Sequence, residues 1–234
     1  MSEEDFDVAQ LAAYLHLNPD KVQRLADRGK LPGRRLGGDW QFSRQEIHHW
    51  LENRIGLSDD ADLIEVESIL ERSDTEPMPV ISQMLKPEAV AVPFDARTRN
   101  SVVTRLCDLA ATTGLLWDPP KMAEAVRARE QMHPTAVDNG VALLHPRRPL
   151  PSILGEAFIA LGVTPQGIPF GADRGGLTDI FFLICSLDDT GHLRTLARLS
   201  RMVGDADFVS QLRAATSSDE ALRLLTAREA DLTD

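Results

Sequence analysis

Apolar residues recur at helical spacing near the start of the chain and predict a small helical unit. In residues 7–15 the apolar side chains fall on one face of a first helix, at Val8, Leu11, Ala12 and Leu15. A second helix is predicted over about 19–28. Asn18 is a favourable N-cap residue, Pro19 suits the first helical position, and Gly29 favours a helix end.

The polar positions that follow predict a hairpin and a third helix. Gly37 and Gly38 lie in the middle of "LPGRRLGGDWQF", a pattern typical of two short strands joined by a tight turn. Ser43 and Glu46 have the spacing of a capping box at the start of a helix. The apolar residues predicted on that helix are Ile47, Trp50 and Leu51.

From about Val80 onward, helical and strand-like patterns alternate. Strands are predicted at about 88–94, 140–145, 156–163 and 178–187, and helices at about 98–114, 120–131, 191–203, 206–214 and 217–228. The run "TDIFFLICSL" is apolar on both faces, as in an internal strand, and Ser217 with Glu220 predicts a capping box. The fold class is therefore α+β, with a helical unit followed by a mixed β-sheet flanked by helices.

The net charge of −11 argues against a generally basic nucleic-acid binder, but the charge is unevenly distributed. Residues 21–44 contain seven basic side chains and only two acids, Asp27 and Asp39, whereas residues 56–80 contain eight acids and one arginine. We predict domains at 1–55 and 80–234, joined by an acidic linker at 56–79. Within the linker, the spacing of Leu63, Val66 and Leu70 permits one short amphipathic helix.

Other features place the chain among soluble, cytoplasmic proteins. No apolar run is long enough to span a membrane, and the acidic start differs from a signal peptide. Cys107 and Cys185 match no zinc or redox spacing and are expected to be buried. His16, His48 and His49 are expected to be structural or surface residues, and no cofactor is expected.

One predicted strand ends on a residue type that takes part in catalysis. The stretch "VDNGVALLHP" finishes on His145, and Arg147 and Arg148 follow at once. Histidine suits phosphoryl transfer or metal binding better than filling an apolar core. A zinc site formed by His133, His145 and His192 is an open alternative, although their spacing does not require one.

The first segment, "LAAYLHLNPDKVQRLADRGKLPGRRLGGDWQFSRQEIHHWL", resembles the excisionase and MerR-type winged helix-turn-helix module. This resemblance implies DNA binding through the second helix and the hairpin wing, and a possible homodimer. The expected DNA-contacting residues are Lys21, Gln23, Arg24, Arg28, Arg34 and Arg35.

Residues 80–229 resemble the EIIA domain of the bacterial phosphotransferase system, in its mannitol/fructose and nitrogen-regulatory (PtsN-like) class. The matching stretches include "AVRAREQMHPTAVDNGVALLH" and "TDIFFLICSLDDTGHLRTLARLSRM". The resemblance implies a phosphoryl acceptor at His145, a second active-site histidine at His192 and a charge-balancing arginine at Arg129. The implied partner is an HPr/NPr-like histidine-phosphorylated carrier protein.

The chain departs from the family pattern before His145. Leu144 stands where the family usually has proline, and Ala136, Val137 and Asp138 replace a glycine-rich segment, where Asp138 would repel an incoming phosphate. Three functions therefore stay open. The first is a DNA-binding regulator that senses phosphotransferase status. The second is a nitrogen-type phosphocarrier that regulates protein targets by contact, and the third is an excisionase-like architectural DNA binder with an inactive EIIA domain.

Overall fold

Two units make up the chain in the computed structural model, Met1–Met78 and Pro79–Asp234. The structure describes residues 5–15, 17–57, 79–172 and 174–232, without the side chains of 45 and 53–57. The predicted linker helix at Leu63, Val66 and Leu70 lies outside the described residues, as does His16.

The first unit follows the predicted order of elements. These are α1 (Val8–Tyr14), α2 (Pro19–Asp27), β1 (Arg34–Leu36), β2 (Asp39–Gln41) and α3 (Arg44–Leu57). The Asn18 side chain caps α2 by accepting from the Asp20 N–H. Gly37 and Gly38 both have positive φ, 64° and 102°, which suits the tight hairpin turn between β1 and β2.

The apolar face of each helix packs into one small core. Phe6 and Phe42 exchange two backbone hydrogen bonds of 2.8 and 2.9 Å, which tie the start of the chain to the strand after the turn. The residues buried in this unit include Leu11, Leu15, Val22, Phe42, Ile47 and Leu51. The three helices and the hairpin therefore share one core of aromatic and aliphatic side chains.

The second unit alternates helices and strands. Its elements are α4 (Ile81–Met84), β3 (Leu85–Ala91), α5 (Arg99–Ala111), α6 (Pro119–Met132), β4 (Val141–Leu144), a 3₁₀ turn (Pro151–Ile153), β5 (Phe158–Pro169), β6 (Leu177–Cys185), α7 (Asp189–Val203), α8 (Ala206–Ala214) and α9 (Ser218–Asp231). The strand order is β3-β5-β6-β4. Two of the pairings are parallel and the central one, β5 with β6, is antiparallel, so the sheet is mixed.

Three local predictions need correction. Glu220 does not complete a capping box, because its carboxylate accepts from the backbone and hydroxyl of Thr216 at 2.8 and 2.9 Å, although Ser217 caps α9. His48 is buried and not a surface residue, since its Nε2 lies 2.9 Å from the Tyr14 hydroxyl. The third predicted strand is longer than expected and continues to Pro169. Within the described ranges, no helix has the length and apolar character needed to cross a membrane.

Candidate functional site

His145 lies at the carboxyl end of a buried strand. It directly follows β4, whose four residues are all buried, and Pro146 comes next. β4 pairs in parallel with β6, with Leu144 opposite Leu183. Because parallel strands end at the same edge of a sheet, the segment after β6 is brought next to His145.

The backbone fixes the protonation of the His145 ring. Nδ1 lies 2.8 Å from the carbonyl oxygen of Leu143. A carbonyl oxygen only accepts, so Nδ1 carries the proton and donates it to this bond. In the neutral imidazole, Nε2 then holds the lone pair and is the nucleophilic nitrogen.

His192 comes to the same edge from the helix after β6. It lies in the first turns of α7, whose N-cap residue Asp188 accepts from the Gly191 N–H at 2.8 Å. The His192 Nδ1 is 3.3 Å from the Ser186 hydroxyl. The rings of His145 and His192 have centroids 4.8 Å apart and are tilted by 52°. The structure therefore brings together the two histidines that are 47 positions apart in the sequence.

Arg129 is buried in the last turn of α6. Its Nη1 donates to the carbonyl oxygen of His133 at 2.7 Å, which fixes the end of the helix. The neighbouring Glu130 is also buried; its carboxylate accepts from Arg99 at 2.9 Å and from the Thr135 N–H at 3.1 Å. These contacts organise the segment that leads to β4. A role of Arg129 in balancing the charge of a phosphoryl group stays a prediction.

Asp138 is remote from the acceptor, contrary to the expectation that it would repel a phosphate there. Residues 135–137 run back along β4, with Val137 N–H donating to the Val141 carbonyl and Ala136 bridged to Ala142. The turn at 138–140 therefore lies at the opposite end of β4 from His145, about 13 Å away along the strand. The Asp138 carboxylate also forms an ion pair with Arg174, with an Nε–Oδ2 distance of 3.3 Å, and accepts from the Arg174 N–H at 3.2 Å.

The three-histidine metal site does not form as the sequence suggested. His133 is exposed at the end of α6, and its Nδ1 donates to the Pro134 carbonyl at 2.9 Å. Among the residues that the structure describes, His133 belongs to no group of three potential metal ligands.

The predicted DNA-contacting residues all lie on the surface of the first unit. Lys21, Gln23, Arg24 and Arg28 are exposed along α2 and at its C-cap, and Arg34 and Arg35 are exposed on β1. The wing arginines have acidic partners: Arg34 donates to Asp5 at 2.6 Å and Arg35 to Asp27 at 2.8 Å.

Sequence reasoning missed three groups that orient these sites. The Leu143 carbonyl and the Ser186 hydroxyl hold the two histidine rings, and neither gives a local signal in the sequence. Asp27 contacts the wing. The sequence offered one indication of this role, because Asp27 is one of only two acids in the basic stretch 21–44.

The comparisons with known proteins follow the same division of the chain. A family model described as "Phosphoenolpyruvate-dependent sugar phosphotransferase system, EIIA 2" matches residues 83–228, and a helix-turn-helix domain model matches 6–55. A nitrogen regulatory protein of Bradyrhizobium diazoefficiens is 30% identical over 149 residues, covering 62% of this chain and 94% of that protein. One from Escherichia coli strain K12 is 28% identical over 154 residues, covering 64% and 91%.

Solved structures show the same fold in the second unit. The nitrogen regulatory protein IIA-Ntr from Neisseria meningitidis superposes with a TM-score of 0.56 at 20% identity, covering 63% of this chain and 100% of that one. IIA mannitol from Escherichia coli gives a TM-score of 0.53 at 20% identity, covering 60% and 98%. Because the family model spans more than half of the sequence, this chain belongs to the EIIA 2 family of the phosphoenolpyruvate-dependent sugar phosphotransferase system, and it carries a helix-turn-helix domain ahead of that domain.

Proposed function

We propose that this protein is a DNA-binding regulator whose EIIA domain accepts a phosphoryl group on His145 from a histidine-phosphorylated carrier of the HPr/NPr type. The observation that carries the proposal is the hydrogen bond from His145 Nδ1 to the Leu143 carbonyl. This bond leaves the lone pair on Nε2, the state in which an imidazole attacks phosphorus.

The transfer exchanges one phosphorus–nitrogen bond for another. Nε2 of His145 attacks the phosphorus atom of the carrier's phosphohistidine, and the bond to the carrier nitrogen breaks with its electron pair staying on the carrier. His192, whose ring lies beside that of His145, supplies a donor to the phosphoryl oxygens as charge develops. Since His145 is only 2% exposed, Nε2 has to become more accessible before the carrier reaches it.

Charge at the site favours an anionic group. Arg147 and Arg148 are exposed directly after the acceptor strand, where they attract an acidic or phosphorylated partner. The carboxylate of Asp138, placed at the far end of β4 and paired with Arg174, does not oppose this attraction. A IIA–IIB pair has been solved as a complex for the mannitol system of Escherichia coli, which supports the docking of a partner protein on this domain.

The acceptor assignment is tested with the full chain and a phosphoenolpyruvate-driven donor chain of enzyme I and HPr or NPr. Wild type should gain one acid-labile phosphoryl group by mass, and His145→Ala should gain none while keeping its circular dichroism spectrum. Labelling of His145→Ala would assign the acceptor to another histidine. A wild type that never labels with competent donors would favour the inactive-domain alternative.

DNA binding is proposed from the helix-turn-helix domain and the basic side chains that α2 and β1 expose. A duplex selected from a random library should bind the full chain more tightly than random duplex, with an affinity that falls as salt rises. Arg24→Ala should cost about 1–3 kcal/mol at the selected site if Arg24 reads a base. Arg34→Ala and Arg35→Ala should each weaken binding to random duplex and reduce the salt slope.

The likeness to nitrogen regulatory proteins favours a second candidate, a phosphocarrier that regulates proteins by contact. The two functions separate in a gel-shift assay at two salt concentrations. Unchanged binding in the triple variant of Arg24, Arg34 and Arg35, or no binding by wild type, would favour protein targets over DNA. If His145 is phosphorylated, the phosphocarrier role holds with either outcome of the gel-shift assay.

A further inference from the structure

One carboxylate oxygen joins the second helix to both strands of the wing. Asp27 is the last residue of α2, and its Oδ1 accepts from Arg35 Nη2 at 2.8 Å and from Trp40 Nε1 at 3.0 Å. Arg35 and Trp40 are directly opposite each other in the antiparallel hairpin. A single side chain of α2 therefore contacts both strands at the same pair of opposite residues.

The three side chains form a compact cluster on the surface. The Arg35 guanidinium carbon lies 5.0 Å from the centroid of the Trp40 ring, within the range of a cation–π contact. The hydrogen bonds from Trp40 and then from Arg35 lower the pKa of Asp27, so the carboxylate is charged at neutral pH. Only one of Arg35's five N–H groups is used here, which leaves others for a phosphate.

The position of this acid is costly for a surface that binds DNA. Asp27 follows Arg24 by three residues on α2, and it is one of only two acids among residues 21–44. On a surface that binds DNA, a negative charge lowers affinity for every sequence. The contacts of Asp27 with Arg35 and Trp40 hold the wing in place instead.

We propose that Asp27 is a positioning residue that holds the wing against α2. Arg35 then contacts the DNA backbone at a fixed distance from the position where Arg24 contacts the DNA. This inference rests on the proposed DNA binding. We call the contacts of Asp27 with Arg35 and Trp40 the clamp. The clamp lowers affinity for random DNA. It raises discrimination in favour of the preferred site, because phosphate contacts fix the orientation from which base contacts read the sequence.

The clamp itself is tested without DNA. In the full chain, the indole N–H resonance of Trp40, assigned by its loss in Trp40→Phe, should shift and exchange faster with water in Asp27→Ala. Asp27→Asn keeps an oxygen acceptor and should change it less. Asp20→Asn removes a charge from the other end of α2 and should leave it unchanged. An unaltered Trp40 signal in Asp27→Ala would overturn the clamp.

The DNA readout uses the selected duplex and a random duplex of equal length. Asp27→Ala, Asp27→Asn and Asp20→Asn should each bind random duplex more tightly than wild type, since each removes one negative charge. Only Asp27→Ala should lose preference for the selected duplex, by about tenfold, the scale of one base contact. If Asp27→Ala and Asp20→Asn lose the same preference, Asp27 acts through charge alone and the positioning role is wrong. If wild type binds no duplex, the proposed DNA binding fails and with it the positioning role, while the indole signal still reports the clamp separately.

Discussion

At the residue scale, a backbone carbonyl prepares the acceptor. The Leu143 oxygen is two residues before His145 and belongs to a buried strand, so its position is fixed by the sheet. A side-chain acceptor in the same place would itself titrate or rotate. The carbonyl therefore holds one tautomer across the pH range in which imidazole is neutral.

His192→Ala should slow phosphoryl transfer about 10²–10³-fold and leave the final extent of labelling unchanged, because the ring stabilises charge and is not the nucleophile. The rate of phosphoryl incorporation under excess carrier measures this. His133→Ala is the matched control, since His133 is exposed and its ring Nδ1 contacts the Pro134 carbonyl. It should transfer at the wild-type rate. Complete loss of labelling in His192→Ala would contradict this division of roles.

The two cysteines should be unreactive in the folded protein. Burial, and then the charge of Asp108, raises the pKa of Cys107 to about 12, and burial raises the pKa of Cys185 well above its ordinary value. The thiolate is the reactive form, so a chromogenic thiol reagent at pH 8 should label neither residue in the native chain and both in guanidinium chloride. Labelling of a native thiol would show that this part of the core opens.

At the element scale, the turn before β4 depends on one glycine. Gly140 has φ of +89°, and a Cβ there would lie 2.6 Å from Arg213 Nη2 and 3.2 Å from Asp179 Oδ1. Arg213 also donates to Asp179 at 2.6 Å and to the Asn139 carbonyl at 2.7 Å, so it is not free to withdraw. This network holds the start of the strand that carries His145.

Gly140→Ala should therefore lower the free energy of unfolding by about 2–4 kcal/mol, combining backbone strain and a displaced ion pair. Gly114→Ala is the control: its φ is +74°, but a Cβ there meets nothing within 4 Å. Only the strain, about 1 kcal/mol, should remain in that variant. Urea unfolding monitored by circular dichroism measures both. Equal losses would mean that the Arg213 contact gives way at no cost.

The N-cap of α8 should contribute stability that depends on pH. The Asp205 carboxylate accepts from the N–H groups of Phe208 and Asp207, and the bond from Phe208 is the main cause that lowers the pKa of Asp205 below 3.8. Because the pKa is lower in the folded state, the charged carboxylate stabilises the protein at pH values above the pKa of the unfolded chain. This contribution disappears as the pH falls through the pKa of the folded state.

Asp205→Ala should cost about 1 kcal/mol at neutral pH, and less as the pH falls below 3.8. Asp205→Asn keeps a capping oxygen, so it should cost less at neutral pH, and its stability should vary less with pH in this range. Unfolding free energies at several pH values from 7 downward separate the two. A cost of Asp205→Ala that stays constant with pH would argue against a charged cap.

At the scale of the whole molecule, the two matched families occupy separate stretches of the chain, 6–55 and 83–228. The intervening sequence is strongly acidic, with glutamates at 65, 67, 71 and 76. Few apolar side chains accompany these charges, a composition typical of linkers. We propose that this segment is a linker between two domains that fold separately.

Limited digestion with a glutamate-specific protease should therefore cut first between residues 56 and 79 and release two fragments that keep their helical signal. Mass measurement of early products identifies the bonds. Trypsin serves as the comparison, because this stretch offers it only Arg72. First cleavage outside the segment by both proteases would contradict the linker.

The sequence by itself determined most of the helices and strands and singled out the two histidines of the candidate site. Helical periodicity and the caps at Asn18 and Ser217 depend on neighbours within four residues. The run of β6, which is apolar on both faces, predicts its internal position in the sheet. The resemblance of the segments around His145 and His192 identified the family correctly. These features could be predicted because each is encoded in a short stretch of chain.

Only the tertiary structure decided which distant groups meet. The crossover that places β4 beside β6 sets the rings of His145 and His192 4.8 Å apart, and the hairpin before β4 turns Asp138 away from them. Folding also pairs Arg35 with Asp27, so a side chain predicted as a simple DNA contact is part of a cluster. Such contacts depend on strand register and on packing between elements far apart in sequence, which local periodicity does not specify.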